Sequence, residues 1–488
     1  MAPQADHGLL HVRHNVLKEV ARLAFEGNLE EGVEYLPERI YPGPLPTYRC
    51  CVYREREITR QRIRLARGMA PDHRDNGNII QVMDPACADC PSSGYLVTDR
   101  CQNCVGKPCL HSCKFGAIDI GKGHTEIDRH LCKECGQCAK ACPYNAIVHI
   151  ERPCQSACPV KALTYDEYGL AQIDEKKCIR CGQCIHSCPF GAIGTRNHIV
   201  PVIEAIKSGR HVYAMAAPAT EGQFGKDITM ASWKKAAKEI GFTDFIEVSL
   251  GADLTTASEA IEWLEAFEKG EPKTTSCCPA FVNMIHRHYP QLEKYVSTSV
   301  SPMCQLSRMI KAKDPGAMTV FIGPCVAKKS EILDQKIEGN ADYALIYSEF
   351  EALMYAKGVT LEPVEEPYQE GSVYGKRYAT SGGVTDACMR YLQEQGKDTA
   401  GVKVLRVSGI KEIKKALDQM KKGTLPEQFV EGMCCEGGCF YGPSAYDNSP
   451  RARLTREAVL KQADSRSITG NLSNYDLEGH HSHREIGE

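Results

Sequence analysis

Cysteine constrains this chain more than any other residue type. There are 26 among 488 residues, and 18 of them fall before residue 190. Many lie two or three residues apart, a spacing that suits a shared metal better than disulfide pairing. The first twenty residues hold no long apolar run ahead of a small-residue cleavage site, so no signal peptide is expected. Thiols kept reduced fit a cytoplasmic compartment. No stretch of about 18 apolar residues occurs, which argues against a membrane-spanning helix. A net charge of −3 gives no reason to expect nucleic acid. The length predicts two to four domains.

The cysteine spacing is itself specific. C-x2-C-x2-C-x3-C-P occurs twice, at Cys132, Cys135, Cys138, Cys142 and at Cys178, Cys181, Cys184, Cys188, as an internal repeat offset by 46 residues. In such a loop three thiolates grip one [4Fe–4S] cube and the fourth ligates the neighbouring one. Zinc sites use paired C-x2-C motifs, but a third cysteine followed by x3-C-P favours iron–sulfur clusters. Two further pieces resemble ferredoxin motifs with altered spacing: Cys101, Cys104, Cys109, Cys113, and the half-motif Cys154, Cys158. Cys87 and Cys90 supply the missing half. Sixteen cysteines then make four clusters. The exchange rule predicts the quartets Cys101/Cys104/Cys109/Cys142, Cys132/Cys135/Cys138/Cys113, Cys178/Cys181/Cys184/Cys158 and Cys87/Cys90/Cys154/Cys188.

The rest of the chain has a different texture. Residues 1–80 read as a helical segment. Its arginine-rich stretch from Tyr48 to Gly68 is expected to form a solvated helix face, with Cys50 and Cys51 as packing residues. Residues 81–195 read as two ferredoxin-like α+β units. From 196 to 488, strands alternate with helices, which predicts an α/β domain. HVYAMAAPA and AMTVFIGPC read as strands running into loops at Ala217–Pro218 and Pro324. TASEAIEWLEAFEKG reads as an amphipathic helix with Ile261, Leu264 and Phe267 on one face and Gly270 at its end. The histidines near the C-terminus are expected on a polar surface tail.

Eight cysteines remain, in another style. TTSCCPAFV from Thr274, FIGPCVAKKSE from Phe321 and EGMCCEGGCFYG from Glu431 offer Cys278, Cys325, Cys435 and Cys439 as one cubane ligand set drawn from separated loops. Cys304 and Cys388 read as buried packing residues, and Cys434 has no assigned role. These three segments resemble the signature motifs of the [FeFe]-hydrogenases over about residues 196–450, and the cysteine-rich region fits the same family. The resemblance implies an α/β catalytic domain of iron-only hydrogenase type preceded by ferredoxin-like modules. It implies an H-cluster, in which Cys439 bridges the cubane to a diiron dithiolate carrying CO and CN ligands. Lys328 then contacts a cyanide, and Met433, Ala217, Pro218 and Pro324 line the cofactor. ATSGGV, ending at Val384, resembles a glycine-rich loop of the same pocket. Cys277 matches a proton-relay thiol, and Glu259, Ser297 and Glu262 match the rest of that relay. The expected order is bulk water, Glu259, Ser297, Glu262, a water, then Cys277.

The implied activity is reversible conversion of protons and electrons to hydrogen. A ferredoxin or similar carrier is the expected partner, and maturation enzymes are expected to insert the diiron unit. Ala219, Phe281 and Gly323 stand where the best-known members carry serine, tryptophan and methionine, so the chain looks like the group B branch. A hydrogen sensor, or an iron–sulfur assembly protein of the same fold, is the alternative. The absence of regulatory domains and the retention of Cys277, Glu259 and Glu262 weigh against the sensor, and Cys277, Lys328 and Met433 weigh against the assembly protein.

Overall fold

The computed structural model describes residues 8–72, 75, 77–121, 123–477 and 479–484. Part of the expected polar tail, Glu478 and residues 485–488, lies outside them. Among the described residues no helix is long and apolar enough to cross a membrane.

The N-terminal segment is helical, as expected, over Leu9–Glu26, Leu29–Ile40 and Val52–Ala66. These helices have no separate core. Val16, Val20, Ala21 and Ile63 pack into one apolar cluster with Ile203, Trp233, Phe350 and Leu353 of the C-terminal α/β region. The arginine-rich helix is not the solvated face its charge pattern suggests. Arg49 donates to the Phe190 carbonyl and pairs with Asp89, Arg54 donates to the Pro85 carbonyl, and Arg62 is buried. Its charges fasten the helix to the cysteine-rich region. Cys50 is exposed rather than packed, and Cys51 is half-buried.

The cysteine-rich region holds two ferredoxin-like units, one inserted in the other. In the inner unit, Gly94–Val97 pairs antiparallel with Ile147–Ile150, and Ile118–Ile120 with Thr125–Ile127. In the outer unit, Ile80–Val82 pairs with Ile193–Thr195, and Leu163–Tyr165 with Ala171–Ile173. The segment carrying Cys87 and Cys90 thus belongs with residues 151–197, across the whole inner unit. The outer unit shares a core with the α/β region, where Ile179, Ile185 and Ile193 cluster with Ala280, Phe281, Ile285 and Val326.

The α/β region has two parallel sheets. Asp244–Glu247, Val212–Ala216, Met318–Ile322 and Tyr343–Leu345 form one, in that spatial order. Lys273–Thr274, Phe429–Met433 and Val404–Ser408 form the other. Parallel strands buried on both faces read as continuous apolar runs, as VYAMA and MTVFI do.

The long helix Val248–Lys269 ends, as expected, at Gly270 in the left-handed conformation. Its inward face differs from the apolar stripe read from the sequence. Ile261 is 51% exposed, while Trp263 is buried together with Thr255, Thr256 and Glu259. A helix enclosed on several sides does not need a single apolar stripe, and its buried polar groups belong to a site. Helix Pro302–Lys313 crosses it closely at Gly251, where a methyl group would collide with the Pro302 carbonyl oxygen. Gly251→Ala is therefore expected to destabilise the chain by about 1–3 kcal/mol through overpacking, read as a lowered thermal midpoint. An unchanged midpoint would contradict this close helix approach.

Candidate iron–sulfur and active site

Parallel strands place the residues that follow them at one end of the sheet, where open α/β folds bind ligands. Here the loops after Lys273–Thr274, Met318–Ile322 and Phe429–Met433 carry Cys278, Cys325, and Cys435 with Cys439. The loop after Val212–Ala216 carries Ala217 and Pro218. The four thiols face one another in a buried space. Cys435 lies within electrostatic reach of Cys439, Cys325 and Cys278, and Cys439 of Cys278 and Cys325. Burial, then the facing Cys278, pushes the Cys325 thiol up to about 11. Cys278 goes the other way, down to about 6, because the Cys434 thiol and amide donate to it. Cys434, unassigned from sequence, thus serves Cys278.

Among the described residues no three Cys, His, Asp or Glu side chains approach closely enough for a single metal ion. A lone tetrahedral ion holds its sulfurs at about 2.3 Å, whereas a cube of four irons and four sulfides holds its cysteines farther apart. The donor set, four cysteine thiols from three separate loops, fits the larger group.

Cations answer the buried sulfurs. Lys328 is enclosed and donates to Ser301 Oγ at 2.8 Å, to Glu331 at 2.6 Å and to the Cys277 carbonyl at 3.4 Å. Arg456 is also buried near Cys439 and donates to the carbonyls of Pro218 and Lys376. No local sequence signal marked Arg456, because it arrives from the distant helix Pro450–Gln462. The ATSGGV loop lies against the Cys439 turn. Ser381 N–H donates to the Gly437 carbonyl, and a methyl at Gly438 would meet the Ala379 carbonyl at 2.5 Å. Glu431, also not anticipated, holds this loop by accepting from Gly382 N–H, Thr385 N–H and Thr385 Oγ. Met433 is buried at the end of its strand. A side chain at Gly323 would strike the Ala217 Cβ at 2.8 Å, so its absence lets these two loops close together. Phe281 lies flat on Gly432. Cys304 and Cys388 are buried, as expected.

The carboxylates Glu259 and Glu262 share a helix face, but their order is the reverse of the one expected. Glu262 lies nearer the surface, with its side chain 11% exposed. It accepts from Thr298 N–H, Thr298 Oγ, Ser299 N–H and Ser299 Oγ, and pairs with Lys273 at 3.1 Å. Burial opposes its ionisation, yet Lys273 and Thr298 outweigh it and hold the carboxyl below its usual range. Glu259 is the inner group. Burial and the Glu262 charge push it up to about 8, against the Ser276 amide and Ser297. Its Oε1 takes Ser276 N–H at 3.3 Å, and its Oε2 has no partner. A protonated acid with an open oxygen is equipped to donate. Cys277, one residue beyond Ser276, lies within electrostatic reach of Glu259.

The ferredoxin-like cysteines also gather in the expected sets. Cys101, Cys104, Cys109 and Cys142 line one hollow, and Cys113, Cys132, Cys135 and Cys138 another. Cys178, Cys181 and Cys184 gather with Cys158. Cys154 lies beside Cys188, Cys87 and Cys90. The same turn recurs four times. The amides of Ala117, Ala146, Ala162 and Ala192 donate to the sulfurs of Cys113, Cys142, Cys158 and Cys188, at 3.2–3.4 Å. Each turn needs a positive φ at the preceding residue, supplied by Gly116, Asn145, Lys161 and Gly191. The internal repeat is therefore fourfold, not twofold. Cys181 reaches Cys434 and Cys435, which brings the outer unit against the four-thiol site.

Comparison with known proteins agrees with this reading. Residues 210–443 match the family "Iron only hydrogenase large subunit, C-terminal domain". Residues 125–148 match a 4Fe-4S binding domain, and 148–199 an Fe-S cluster-binding domain of LdpA type. The chain is 27% identical to the periplasmic [Fe] hydrogenase large subunit of Nitratidesulfovibrio vulgaris, over 50% of this chain and 71% of that one. It is 25% identical to iron hydrogenase 1 of Clostridium pasteurianum, over 79% and 74% respectively. A solved [FeFe]-hydrogenase from Chlamydomonas reinhardtii aligns at 21% identity with a TM-score of 0.48, over 58% of this chain and 93% of that one. The chain is an [FeFe]-hydrogenase-like protein of the oxidoreductase class, with an iron-only hydrogenase large-subunit domain behind ferredoxin-type iron–sulfur modules.

Proposed function

We propose that this chain catalyses the reversible reaction of two protons and two electrons to hydrogen at an H-cluster. The observation that carries this is the meeting of Cys278, Cys325, Cys435 and Cys439, from three distant loops, beside Cys277, Lys328 and Met433. The four cysteines would hold the cubane, with Cys439 as the bridge. When bound, the diiron unit supplies the metal-centred proton and electron chemistry. The chain binds, orients and delivers. Lys328, a buried ammonium, gives a charge-assisted contact to an anionic ligand. Met433, Ala217, Pro218 and Pro324 wall the guest and exclude water. Glu262 passes protons inward past Ser297 to Glu259, and Cys277 holds the proton next to the guest.

Electrons are relayed by four ferredoxin-type clusters in the quartets given above. The Cys158/Cys178/Cys181/Cys184 set is the last step before the active site, and Cys87/Cys90/Cys154/Cys188 the one before it, since Cys184 reaches Cys154. The inner unit carries the two outermost clusters and takes electrons from a ferredoxin-type carrier. Maturation enzymes supply the diiron unit. The cytoplasm is the proposed location, and the domain division at about residues 80 and 195 is the proposed functional one.

Cofactor-free protein loaded with a synthetic diiron unit should show infrared bands of bound CO and CN, and should release hydrogen from a reduced dye. Neither bands nor hydrogen would end the reading. Cys277→Ala should keep the bands and lose at least 100-fold in turnover; wild-type turnover would remove Cys277 from the path.

Glu259 generates a second expectation, readable without cofactor. A carboxyl raised to about 8 when folded holds a proton that the unfolded chain has released above about 4.3. Its contribution to stability is thus full at low pH and is lost as pH rises through about 8. Glu259→Gln should flatten this pH dependence of the denaturant midpoint, by up to a few kcal/mol. An unchanged slope would mean that Glu259 is ionised in the folded chain.

A further inference from the structure

Glu262 is only slightly open to water, because the C-terminal segment lies over it. Val300 N–H donates to the Ser482 carbonyl and Arg484 N–H to the Thr298 carbonyl, both at 2.8 Å, which sets Ser299 opposite His483 in an antiparallel bridge. The Gln305 amide donates to the Ser482 carbonyl at 3.2 Å. The Arg308 guanidinium donates to the carbonyls of His481 and His483 at 2.6 and 2.9 Å.

Held in this way, the His483 ring touches the expected relay from outside. Its Nδ1 is 3.2 Å from Glu262 Oε1 and 2.8 Å from Thr298 Oγ. Its Nε2 is 3.3 Å from Ser258 Oγ, which is 2.7 Å from Ser299 Oγ, itself 3.0 Å from Glu262. The His483 side chain is 54% exposed against 11% for Glu262. One ring therefore joins bulk water to a nearly enclosed carboxylate, directly and through two hydroxyls. The histidines near the C-terminus, expected on a surface tail, include one that caps a buried acid.

We propose that His483 is the proton-collecting residue of this chain, the outermost member of the path through Glu262. The inference rests on the hydrogenase reading and extends it. In the inward step the Nδ1–H bond of the imidazolium breaks and an O–H bond forms on the Glu262 carboxylate. The neutral ring keeps its proton on Nε2, and the vacated Nδ1 is recharged by hydronium or a buffer acid reaching the exposed ring. The outward direction reverses both transfers, and no electrons move in either. Imidazole suits the role because its charge changes near neutral pH. Glu262 stands opposite the ring as its carboxylate partner. Lys273 beside Glu262, Arg308 on the neighbouring helix and Arg484 next in the chain are the other charges around it. His481, two residues away, has its carbonyl rather than its ring in this network.

Two measurements test the proposal together. In cofactor-loaded protein, His483→Ala and His483→Gln should each lower turnover about tenfold near pH 7. Added imidazole should restore His483→Ala in a concentration-dependent way, and His481→Ala should stay at the wild-type rate. A purely structural strap would give no rescue. In cofactor-free protein with labelled histidine, nuclear magnetic resonance at one fixed pH should show the His483 ring signals moving when Glu262→Gln replaces the facing carboxylate. Wild-type turnover in His483→Ala, or absence of imidazole rescue, would overturn the proposal while leaving the hydrogenase reading standing. Unmoved His483 ring signals would overturn the contact itself. A loaded wild type that makes no hydrogen would remove both readings, whatever the resonance data show.

Discussion

Four cysteine sulfurs brought together from three loops in a dry interior are the constraint on which the rest of this structure depends. Such a gathering is costly in chain entropy, because the loops are more than a hundred residues apart in places. Two parallel sheets reduce that cost by delivering their loops to the same end. The tight approach of the connecting backbone depends on small residues. Gly323 lets the Ala217 loop close in, Gly438 receives the Ala379–Ser381 loop, and Gly251 lets two helices cross. A bulkier residue at any of these would hold the loops apart.

Burial then dictates the charges. Thiolates removed from water need compensation, and this region contains more enclosed cations than a core built for packing alone would hold. Lys328 and Arg456 face the sulfurs. Lys376, paired with Glu221 and Glu247, and Lys329, paired with Glu349, brace the loops behind them. The same logic separates the two glutamates of one helix. Glu262 has Lys273 and four hydroxyl or amide donors, and stays ionised. Glu259 has one amide at 3.3 Å and an orphan oxygen, and stays protonated. Two carboxyls three residues apart are thus driven to opposite states by their surroundings.

Much of this was legible in the cysteine spacing. Ligand exchange between neighbouring loops is a geometric consequence of C-x2-C-x2-C-x3-C, and all four expected quartets gather in space. Even the Cys87/Cys90/Cys154/Cys188 set does so, because one ferredoxin-like unit is inserted in the other. The motif residues around Cys278, Cys325 and Cys439 were equally readable. What escaped the sequence was everything set by long-range packing. Local charge counting made the arginine-rich helix a solvated face, yet Arg49 and Arg54 bind carbonyls of a unit more than thirty residues away. Periodicity placed Ile261 inside, because an apolar stripe does not reveal a helix buried on several sides, and the relay order drawn from the family resemblance put Glu259 outermost. Arg456 and His483 reach the site from distant elements, and nothing in their local sequence marks them, while Glu431 opens a motif whose spacing does not reveal its partners Gly382 and Thr385.

The central claim is that the α/β region holds a cubane of its own, beyond those of the ferredoxin-like modules. Iron and acid-labile sulfide counting on the fully reconstituted chain tests it most directly, alongside Cys325→Ala treated identically. Five cubanes correspond to about 20 irons per chain; the altered chain should lose about four of them while the ferredoxin-type electron paramagnetic resonance signals persist. Equal iron in the two proteins, or about 16 in the unaltered chain, would contradict the account.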